Sequence, residues 1–155
     1  MSAAALIALC KTKGLRLATA ESCTGGLIAA ALTDIPGASA VFTHGYVTYA
    51  NAAKTEMLGV PESLLAAHGA VSPEVAAAMA SGAQARADAD LAIATTGIAG
   101  PDGGTAEKPA GTVWFGLASR QTVTTYHRLF PGNRNEVRRA SVAYALALLR
   151  QGAET

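Results

Sequence analysis

A serine at a sharp corner of the chain is the first candidate for chemistry. The segment 19–26 (TAESCTGG) lies between a short strand-like run and an apolar helical run, with Ser22 at the turn. Such a corner exposes a hydroxyl group and directs the free N–H groups of the first helical turn toward its neighbour. The backbone donors expected there belong to Cys23, Thr24, Gly25 and Gly26. Alternatively, Ser22 and Thr24 only cap the helix, because serine and threonine are preferred capping residues.

Lys54 is the residue best suited to act as a base for that serine. It lies one turn inside an alanine-rich helix start, just after the segment 45–51 (GYVTYAN). Most lysines are solvated, but a lysine buried beside a hydroxyl nucleophile can lose its proton and act as a general base. Tyr49 is either an ordinary strand aromatic or a hydrogen-bond donor to a substrate or to the lysine amine.

Two further segments could bind the rest of a substrate. The loop 97–111 follows a buried strand and contains five glycines and two prolines. Ligands commonly bind where a strand of an open α/β sheet ends, and so long a loop is uncommon unless it is functional, although it could be a plain connector. Arg134 and Arg138 are four residues apart at the start of the last helix, which could place both on a phosphate or carboxylate. The alternative is that both are surface arginines.

The elements that position these residues alternate between helix and strand. We predict helices over 2–13, 25–34, 51–59, 61–68, 72–87 and 133–150, and strands over 15–20, 41–49, 90–96, 112–119 and 122–130. Asn51 is the expected cap of the helix that carries Lys54. Only two or three residues separate the last two strands, which predicts an antiparallel hairpin. The pattern indicates an α/β fold, a single three-layer α/β/α domain over 1–155 with a mixed sheet.

Composition narrows the class of protein. The 155 residues are 50% apolar and 15% charged, with a formal net charge of +1, which does not favour nucleic-acid binding. The histidines at 44, 68 and 127 lack paired metal-ligand spacing, and Cys10 and Cys23 suit a reducing compartment. The chain shows neither a signal peptide nor an apolar run long enough to span a bilayer. We expect a cytoplasmic protein with no membrane partner, whose alanine-rich helix faces favour a homo-oligomer.

Several blocks of sequence, in order over about 15–148, together resemble the CinA C-terminal domain family. They are 19–26, 45–49 with Asn51 and Lys54, 68–72 (HGAVS), 96–104 (TGIAGPDGG), 108–109 with 111–114 (GTVW), and 132–139. The resemblance implies a stand-alone nicotinamide-nucleotide amidohydrolase of the PncC type. Such enzymes convert nicotinamide mononucleotide to nicotinate mononucleotide and ammonia in pyridine nucleotide (NAD) recycling. Two-domain members carry an added N-terminal nucleotide-processing domain, for which this chain has no room, so we expect that second activity to be absent.

The resemblance also implies roles for individual residues. Ser22 matches the family's serine nucleophile, and Lys54 matches its proposed lysine base. A small pyridine nucleotide would be the substrate, with no metal and no cofactor. The residues expected to contact it are Tyr49, Thr96, Gly97, Gly100, and Arg134 or Arg138. Two alternatives stay open: Cys23 as the nucleophile, with its thiol pKa lowered at a helix N-terminus, or a nucleotide-binding or regulatory module without turnover.

Overall fold

A computed structural model describes residues 2–155 of this protein. Its helices are α1 (Ala3–Lys13), α2 (Leu27–Thr33), α3 (Asn51–Leu58), α4 (Glu62–His68), α5 (Pro73–Ala87) and α6 (Arg134–Glu154). Its strands are β1 (Leu17–Glu21), β2 (Phe42–Val47), β3 (Leu91–Gly97), β4 (Thr112–Ala118) and β5 (Val123–Leu129). A short 3-10 turn, Ala38–Ala40, precedes β2. None of the helices within 2–155 is long and apolar enough to cross a membrane.

The strands form one mixed, five-stranded sheet in the order β2-β1-β3-β4-β5. The first three are parallel, with Ala20 of β1 paired to Tyr46 on one side and to Ala94 on the other. β4 is antiparallel to both β3 and β5, so the predicted hairpin is confirmed. Because β1 lies between two parallel neighbours, the carboxyl ends of β2, β1 and β3 meet at one edge of the sheet. That edge is where open α/β sheets usually bind ligands.

Helices cover both faces of the sheet, which confirms the α/β/α layering. On one face, α1, α2 and α6 bury a core of large aliphatic side chains that includes Leu6, Leu32 and Leu149. On the other face, α5 packs against the sheet with α3 and α4 beside it, and much of the core is alanine around Val75 and Met79. The alanine content of the chain therefore reflects a closely packed helix–sheet layer.

Glycines bring α5 into close contact with its neighbours. A Cβ atom added at Gly116 of β4 would lie 2.3 Å from the carbonyl oxygen of Ala76. A Cβ atom added at Gly82 of α5 would lie 2.0 Å from the carbonyl oxygen of Leu58, at the end of α3. Contacts this short leave no room for a side chain, and the interior is close-packed around them. The helix that carries Lys54 is therefore held firmly against α5.

The corner that carries Ser22 differs from its prediction in one respect. Helix α2 begins at Leu27 rather than at residue 25. Gly25 and Gly26 have φ values of +56° and +105°, which a right-handed helix does not accept. Gly26 occupies the cap position with no side-chain cap hydrogen bond. The alternative in which Ser22 and Thr24 serve as helix caps is therefore wrong.

Other element boundaries differ by a few residues. β1 begins at Leu17 rather than at residue 15, because the Leu15 N–H still bonds to the Cys10 carbonyl at the end of α1. β2 ends at residue 47 rather than 49, and α6 continues to residue 154 rather than 150. Asn51 does not cap α3: it is the first helical residue, and Ala50 before it takes the cap position without a side-chain bond.

Candidate active site

A cavity of about 290 Å³ lies at the edge of the sheet where the three parallel strands end. Ser22 follows β1, Tyr49 follows β2, and Thr96 and Gly97 end β3, so the strand order itself brings these segments together. Most of the predicted site residues line this cavity: Ser22, Cys23, Tyr49, Lys54, Thr96, Gly97, Gly100 and Arg134. Thr24, Gly25, Gly26 and Arg138 are not among the lining residues.

Ser22 and Lys54 meet directly at the base of the cavity. The Lys54 Nζ atom lies 3.0 Å from the Ser22 Oγ atom, within hydrogen-bond distance. The same amine donates to the carbonyl oxygens of Thr48, at 2.8 Å, and Tyr49, at 3.1 Å. The side chains are well shielded from solvent, since Lys54 is 1% exposed and Ser22 is 9% exposed. The interpretation of Lys54 as a solvated surface lysine is therefore wrong.

Burial changes the acid–base behaviour of the lysine. Desolvation lowers the pKa of the Lys54 ammonium below its ordinary value of 10.5, because the charged form loses its hydration. The two carbonyl groups that accept hydrogen bonds from the amine also fix its orientation. A neutral amine has two N–H bonds, which match the two carbonyl oxygens, and one lone pair left for the Ser22 hydroxyl.

The neighbouring cysteine has the opposite character. Burial raises the pKa of the Cys23 thiol to about 12, so the thiol stays protonated near neutral pH. The expected lowering of this pKa by the helix N-terminus is therefore wrong. Histidine is the usual base for a cysteine nucleophile. Among the described residues 2–155, none of those that line the cavity is a histidine. Ser22 is the better-placed nucleophile of the two.

A buried glutamate, not a ligand, occupies the N-terminus of α2. The Glu21 side chain is fully buried, and its two oxygens accept hydrogen bonds from the N–H groups of Ile28, at 2.9 Å, and Ala29, at 3.0 Å. A carboxylate at this position satisfies free N–H groups and interacts favourably with the helix dipole. The expectation that the first turn of α2 offers its N–H groups to a bound anion is therefore wrong.

The backbone donors near Ser22 are consequently those of the turn itself. The Gly25 N–H is already used, since it donates to the Ser22 carbonyl oxygen at 3.0 Å. Thr24 is buried, and its hydroxyl shares a 2.8 Å hydrogen bond with the hydroxyl of Thr95 on β3. The turn is therefore tied to the centre of the sheet, and Cys23 is its residue beside Ser22 that lines the cavity.

Arg134 forms one wall of the cavity. Its guanidinium donates to the Gly100 carbonyl oxygen at 2.9 Å and to the Tyr49 hydroxyl at 3.0 Å. These bonds connect the N-terminus of α6, the glycine-rich loop and the segment after β2. Arg134 is exposed, and Tyr49 is 60% exposed, so the pair also faces solvent at the cavity mouth. A positively charged group at that position can attract a phosphate.

Arg138 has a different set of contacts. Its Nε atom donates to the Cys23 carbonyl oxygen at 3.1 Å, and one terminal nitrogen donates to the Thr24 carbonyl oxygen at 3.2 Å. The side chain is half-buried and lies against the outer side of the turn, close to Gly25. The two arginines, although four residues apart on one helix, therefore contact different parts of the site.

Some cavity residues were not predicted from the sequence. Asn51 was assigned only as a cap, and Asp102 belongs to the glycine-rich loop without having been singled out, yet both line the cavity. Their polar side chains beside predicted site residues are the signal that could have found them. The Thr96 hydroxyl donates to the Ala70 carbonyl oxygen at 2.8 Å, which joins β3 to the segment before α5. In the described part of the chain, no three His, Cys, Asp or Glu side chains form a group that could hold a metal ion.

Comparison with known proteins places this arrangement in a family. Residues 1–153 match the family described as CinA C-terminal domain. The nicotinamide-nucleotide amidohydrolase PncC of Escherichia coli is 54% identical over 142 residues, covering 91% of this chain and 86% of that protein. A CinA-like protein of Akkermansia muciniphila is 58% identical over 134 residues, which cover 86% of this chain but 32% of that protein. The chain thus spans about a third of the length of that larger relative.

Solved structures support the same relationship. The crystal structure of the competence/damage inducible protein CihA from Agrobacterium tumefaciens matches with a TM-score of 0.94 at 48% sequence identity. The match covers 97% of this chain and 92% of that one. Likeness at this level extends over nearly every helix and strand described above.

Proposed function

The chain belongs to the CinA C-terminal domain family, and we propose that it is a nicotinamide-nucleotide amidohydrolase. It would hydrolyse the carboxamide of nicotinamide mononucleotide to give nicotinate mononucleotide and ammonia. The name of the E. coli relative, which this chain matches over 86% of that protein's length, supports the reaction class. A place in pyridine nucleotide recycling in the cytoplasm follows from the same proposal.

The contact between Ser22 and Lys54 is the observation that carries this proposal. A buried amine with a lowered pKa, 3.0 Å from a serine hydroxyl, has the geometry and the acid–base character of a general base. When the amine is neutral, the Thr48 and Tyr49 carbonyl groups can accept both of its N–H bonds, which leaves its lone pair for the Ser22 hydroxyl. A serine activated in this way can attack an amide carbon.

The first half of the reaction forms an acyl-enzyme. The neutral Lys54 amine takes the Ser22 proton as the Oγ atom attacks the carboxamide carbon, which gives a tetrahedral oxyanion. Backbone N–H groups of the turn after Ser22 would stabilise that oxyanion, and each such donor contributes about 3 to 4 kcal/mol in known cases. The Lys54 ammonium then gives its proton to the leaving nitrogen, and ammonia departs as the C–N bond breaks.

The second half returns the enzyme to its starting state. Lys54, neutral again, takes a proton from water, and the resulting hydroxide attacks the ester carbon. When the C–O bond to Ser22 breaks, the Lys54 ammonium gives the proton back to the serine oxygen. The product leaves as a carboxylic acid, which loses its remaining proton to solvent and becomes a carboxylate, and each proton taken by Lys54 has been returned.

The wall of the cavity formed by Arg134 and the glycine-rich loop would orient the nucleotide. Arg134 can pair with the phosphate, because its guanidinium lies at the mouth of the cavity and can bind two phosphate oxygens at once. Gly97 and Gly100 allow the loop backbone to approach the ribose and phosphate closely. With the phosphate at this wall, the pyridine ring points inward, toward Ser22 and Lys54.

Ammonia release from nicotinamide mononucleotide tests the proposal. Wild type and Ser22→Ala are compared in the presence of a chelator, with nicotinate mononucleotide identified as the second product. We expect release by the wild type, and a decrease of at least about 1,000-fold for Ser22→Ala, as for the loss of other serine nucleophiles. Binding of the nucleotide without release by the wild type would instead support a module that does not turn over.

A further inference from the structure

We infer that Arg138 is a positioning residue for the proposed amide hydrolysis, which orients the N–H group of Cys23 toward the developing oxyanion. It would do so without contacting the substrate. The guanidinium reaches from α6 to the outer side of the turn that carries Ser22. This role differs from the phosphate contact expected from the sequence, where Arg134 and Arg138 were interchangeable candidates.

The geometry of the peptide units explains how a side chain on the outer side of the turn can orient a donor that it does not contact. In a trans peptide, the C=O of one residue and the N–H of the next point in opposite directions, and the peptides of this turn are trans. Arg138 holds the Cys23 carbonyl at 3.1 Å. The Thr24 N–H in the same peptide unit must therefore point away from the guanidinium.

The second hydrogen bond acts on the Cys23 N–H through one intermediate. Arg138 also holds the Thr24 carbonyl at 3.2 Å, which orients the Gly25 N–H toward the Ser22 carbonyl oxygen, where it donates at 3.0 Å. That carbonyl shares its peptide unit with the Cys23 N–H. Three successive peptide units after the nucleophile are thus fixed from a single guanidinium.

Charge adds to orientation. A guanidinium that bonds to a carbonyl polarises the peptide, so the N–H at its other end becomes a stronger donor. The turn has other fixed points as well: the Ser22 N–H donates to the Thr95 carbonyl oxygen at 2.9 Å, the Leu27 N–H donates to the Thr24 carbonyl oxygen at 3.0 Å, and the Thr24 hydroxyl bonds to Thr95. Because Gly25 and Gly26 are intrinsically flexible, the two hydrogen bonds from Arg138 add to these contacts in holding the turn, and Arg138 is the charged group among them.

Kinetics of Arg138→Gln separate positioning from phosphate binding. The glutamine side chain is uncharged and too short to donate to both the Cys23 and the Thr24 carbonyl oxygens. We therefore expect kcat to decrease about 10- to 100-fold, while KM changes by less than about threefold. The affinity for nicotinate mononucleotide, measured by calorimetry, should stay within the same threefold limit. Arg138→Lys keeps the charge but not the planar fork, and we expect an intermediate kcat. Arg139→Gln, an exposed arginine one residue later, is the matched control.

A reagent that reports on Ser22 itself keeps the test independent of the natural substrate. An alkyl fluorophosphonate forms a phosphonyl ester with an activated serine and releases fluoride, with its phosphoryl oxygen at the oxyanion position. We expect Arg138→Gln to react at least about 10-fold more slowly than the wild type, and Ser22→Ala not to react at all. Circular dichroism and thermal unfolding establish that the variants are folded.

The possible outcomes are distinct. A higher KM and weaker product binding in Arg138→Gln, with kcat unchanged, would identify a phosphate ligand and overturn the positioning role. Unchanged kcat and unchanged labelling would overturn it as well. If the wild type released no ammonia, the proposed function would fail, while the labelling rates of folded Arg138→Gln and Arg138→Lys would still decide whether Arg138 orients the turn.

Discussion

Replacement of Lys54 by arginine tests whether this residue is a base or only a buried positive charge. Arginine keeps the charge and can donate to the Thr48 and Tyr49 carbonyl groups, but it does not lose its proton in proteins. Lys54→Met removes both the charge and the donors. If Lys54 acts as a base, both variants should be inactive. If it acts only through its charge, Lys54→Arg should keep most of the activity.

The size of the effect follows from the number of proton transfers assigned to Lys54. General acid–base catalysis contributes about 100- to 10,000-fold. The lysine would act in the attack, in the departure of ammonia and in hydrolysis of the ester, so we expect the upper end of that range. A 10,000-fold decrease in kcat/KM corresponds to about 5.4 kcal/mol in the barrier, at about 1.36 kcal/mol for each factor of ten.

The pH dependence of the wild type gives an independent measurement of the same property. Because desolvation lowers the pKa of Lys54 from its ordinary 10.5, kcat/KM should rise about tenfold per pH unit below that lowered pKa and level off above it. The unfolded chain binds the proton up to pH 10.5, whereas the folded protein releases it earlier. The unfolding free energy should therefore rise with pH between these two pKa values, by at most about 1.4 kcal/mol per unit.

The assay is ammonia release between pH 6.5 and 10, together with urea unfolding of wild type and Lys54→Met at the same pH values. The methionine variant lacks the titrating group, so the rise in unfolding free energy through this window should be smaller than in the wild type. Substantial activity of Lys54→Arg, or a wild-type rate without the expected slope, would refute the assignment of Lys54 as the base.

Three further predictions concern the surroundings of the dyad. Glu21→Gln should lower the unfolding free energy by about 2 to 3 kcal/mol in chemical denaturation. The reason is that the amide NH₂ would face one of the two backbone N–H groups that now donate to the carboxylate. Glu62→Gln, at an exposed position, is the control and should change the unfolding free energy by less than about 0.5 kcal/mol. Cys23→Ala should keep kcat within about threefold, since the thiol stays protonated; loss of all ammonia release in a folded variant would point to the cysteine. Arg134→Gln should raise KM for nicotinamide mononucleotide about 10- to 100-fold with a smaller effect on kcat, and an unchanged KM in steady-state assays would exclude it as the phosphate ligand.

The sequence was sufficient to predict the layers, the element order and the turn that carries Ser22. Alternation of helical and strand patterns, with glycine and proline at the breaks, predicted a mixed sheet and the final hairpin. Parallel strands end at one edge of their sheet, so Ser22, Tyr49 and Thr96 could be expected to lie close together. The prediction that Lys54 lies beside Ser22 came from the family resemblance and from chemical reasoning. The structure adds the geometry, a distance of 3.0 Å between Lys54 Nζ and Ser22 Oγ.

What the sequence could not give depends on contacts between distant segments. Glu21 is a glutamate at the end of a strand, and only the folded chain shows that it takes the N–H groups of Ile28 and Ala29. Arg134 and Arg138 are both arginines on α6, so their sequence does not distinguish them. In the folded chain Arg134 contacts the glycine-rich loop of the cavity, whereas Arg138 contacts the turn after Ser22. The predicted start of α2 was too early, because the pattern of apolar residues does not show that Gly25 has a positive φ of 56°, which a right-handed helix excludes.

Self-association and the limits of the domain stay predictions. Val47, Tyr49 and Met57 are large apolar or aromatic residues that remain exposed, as residues of an interface between copies would be in a single chain. Size-exclusion chromatography with light scattering measures the oligomeric state directly. A homo-oligomer is the expected result, and a monomer at all concentrations would show that this expectation is wrong.

Detection of an acyl group on Ser22 tests the central claim most directly. Wild type is mixed with nicotinamide mononucleotide, quenched in acid within milliseconds to seconds, and examined by intact and peptide mass spectrometry, with Ser22→Ala alongside. We predict a mass increase equal to the substrate less ammonia, located on the peptide that contains Ser22, and hydroxylamine should convert the intermediate to a hydroxamate. Turnover that yields neither adduct nor hydroxamate, or an adduct on another residue, would contradict the covalent serine mechanism.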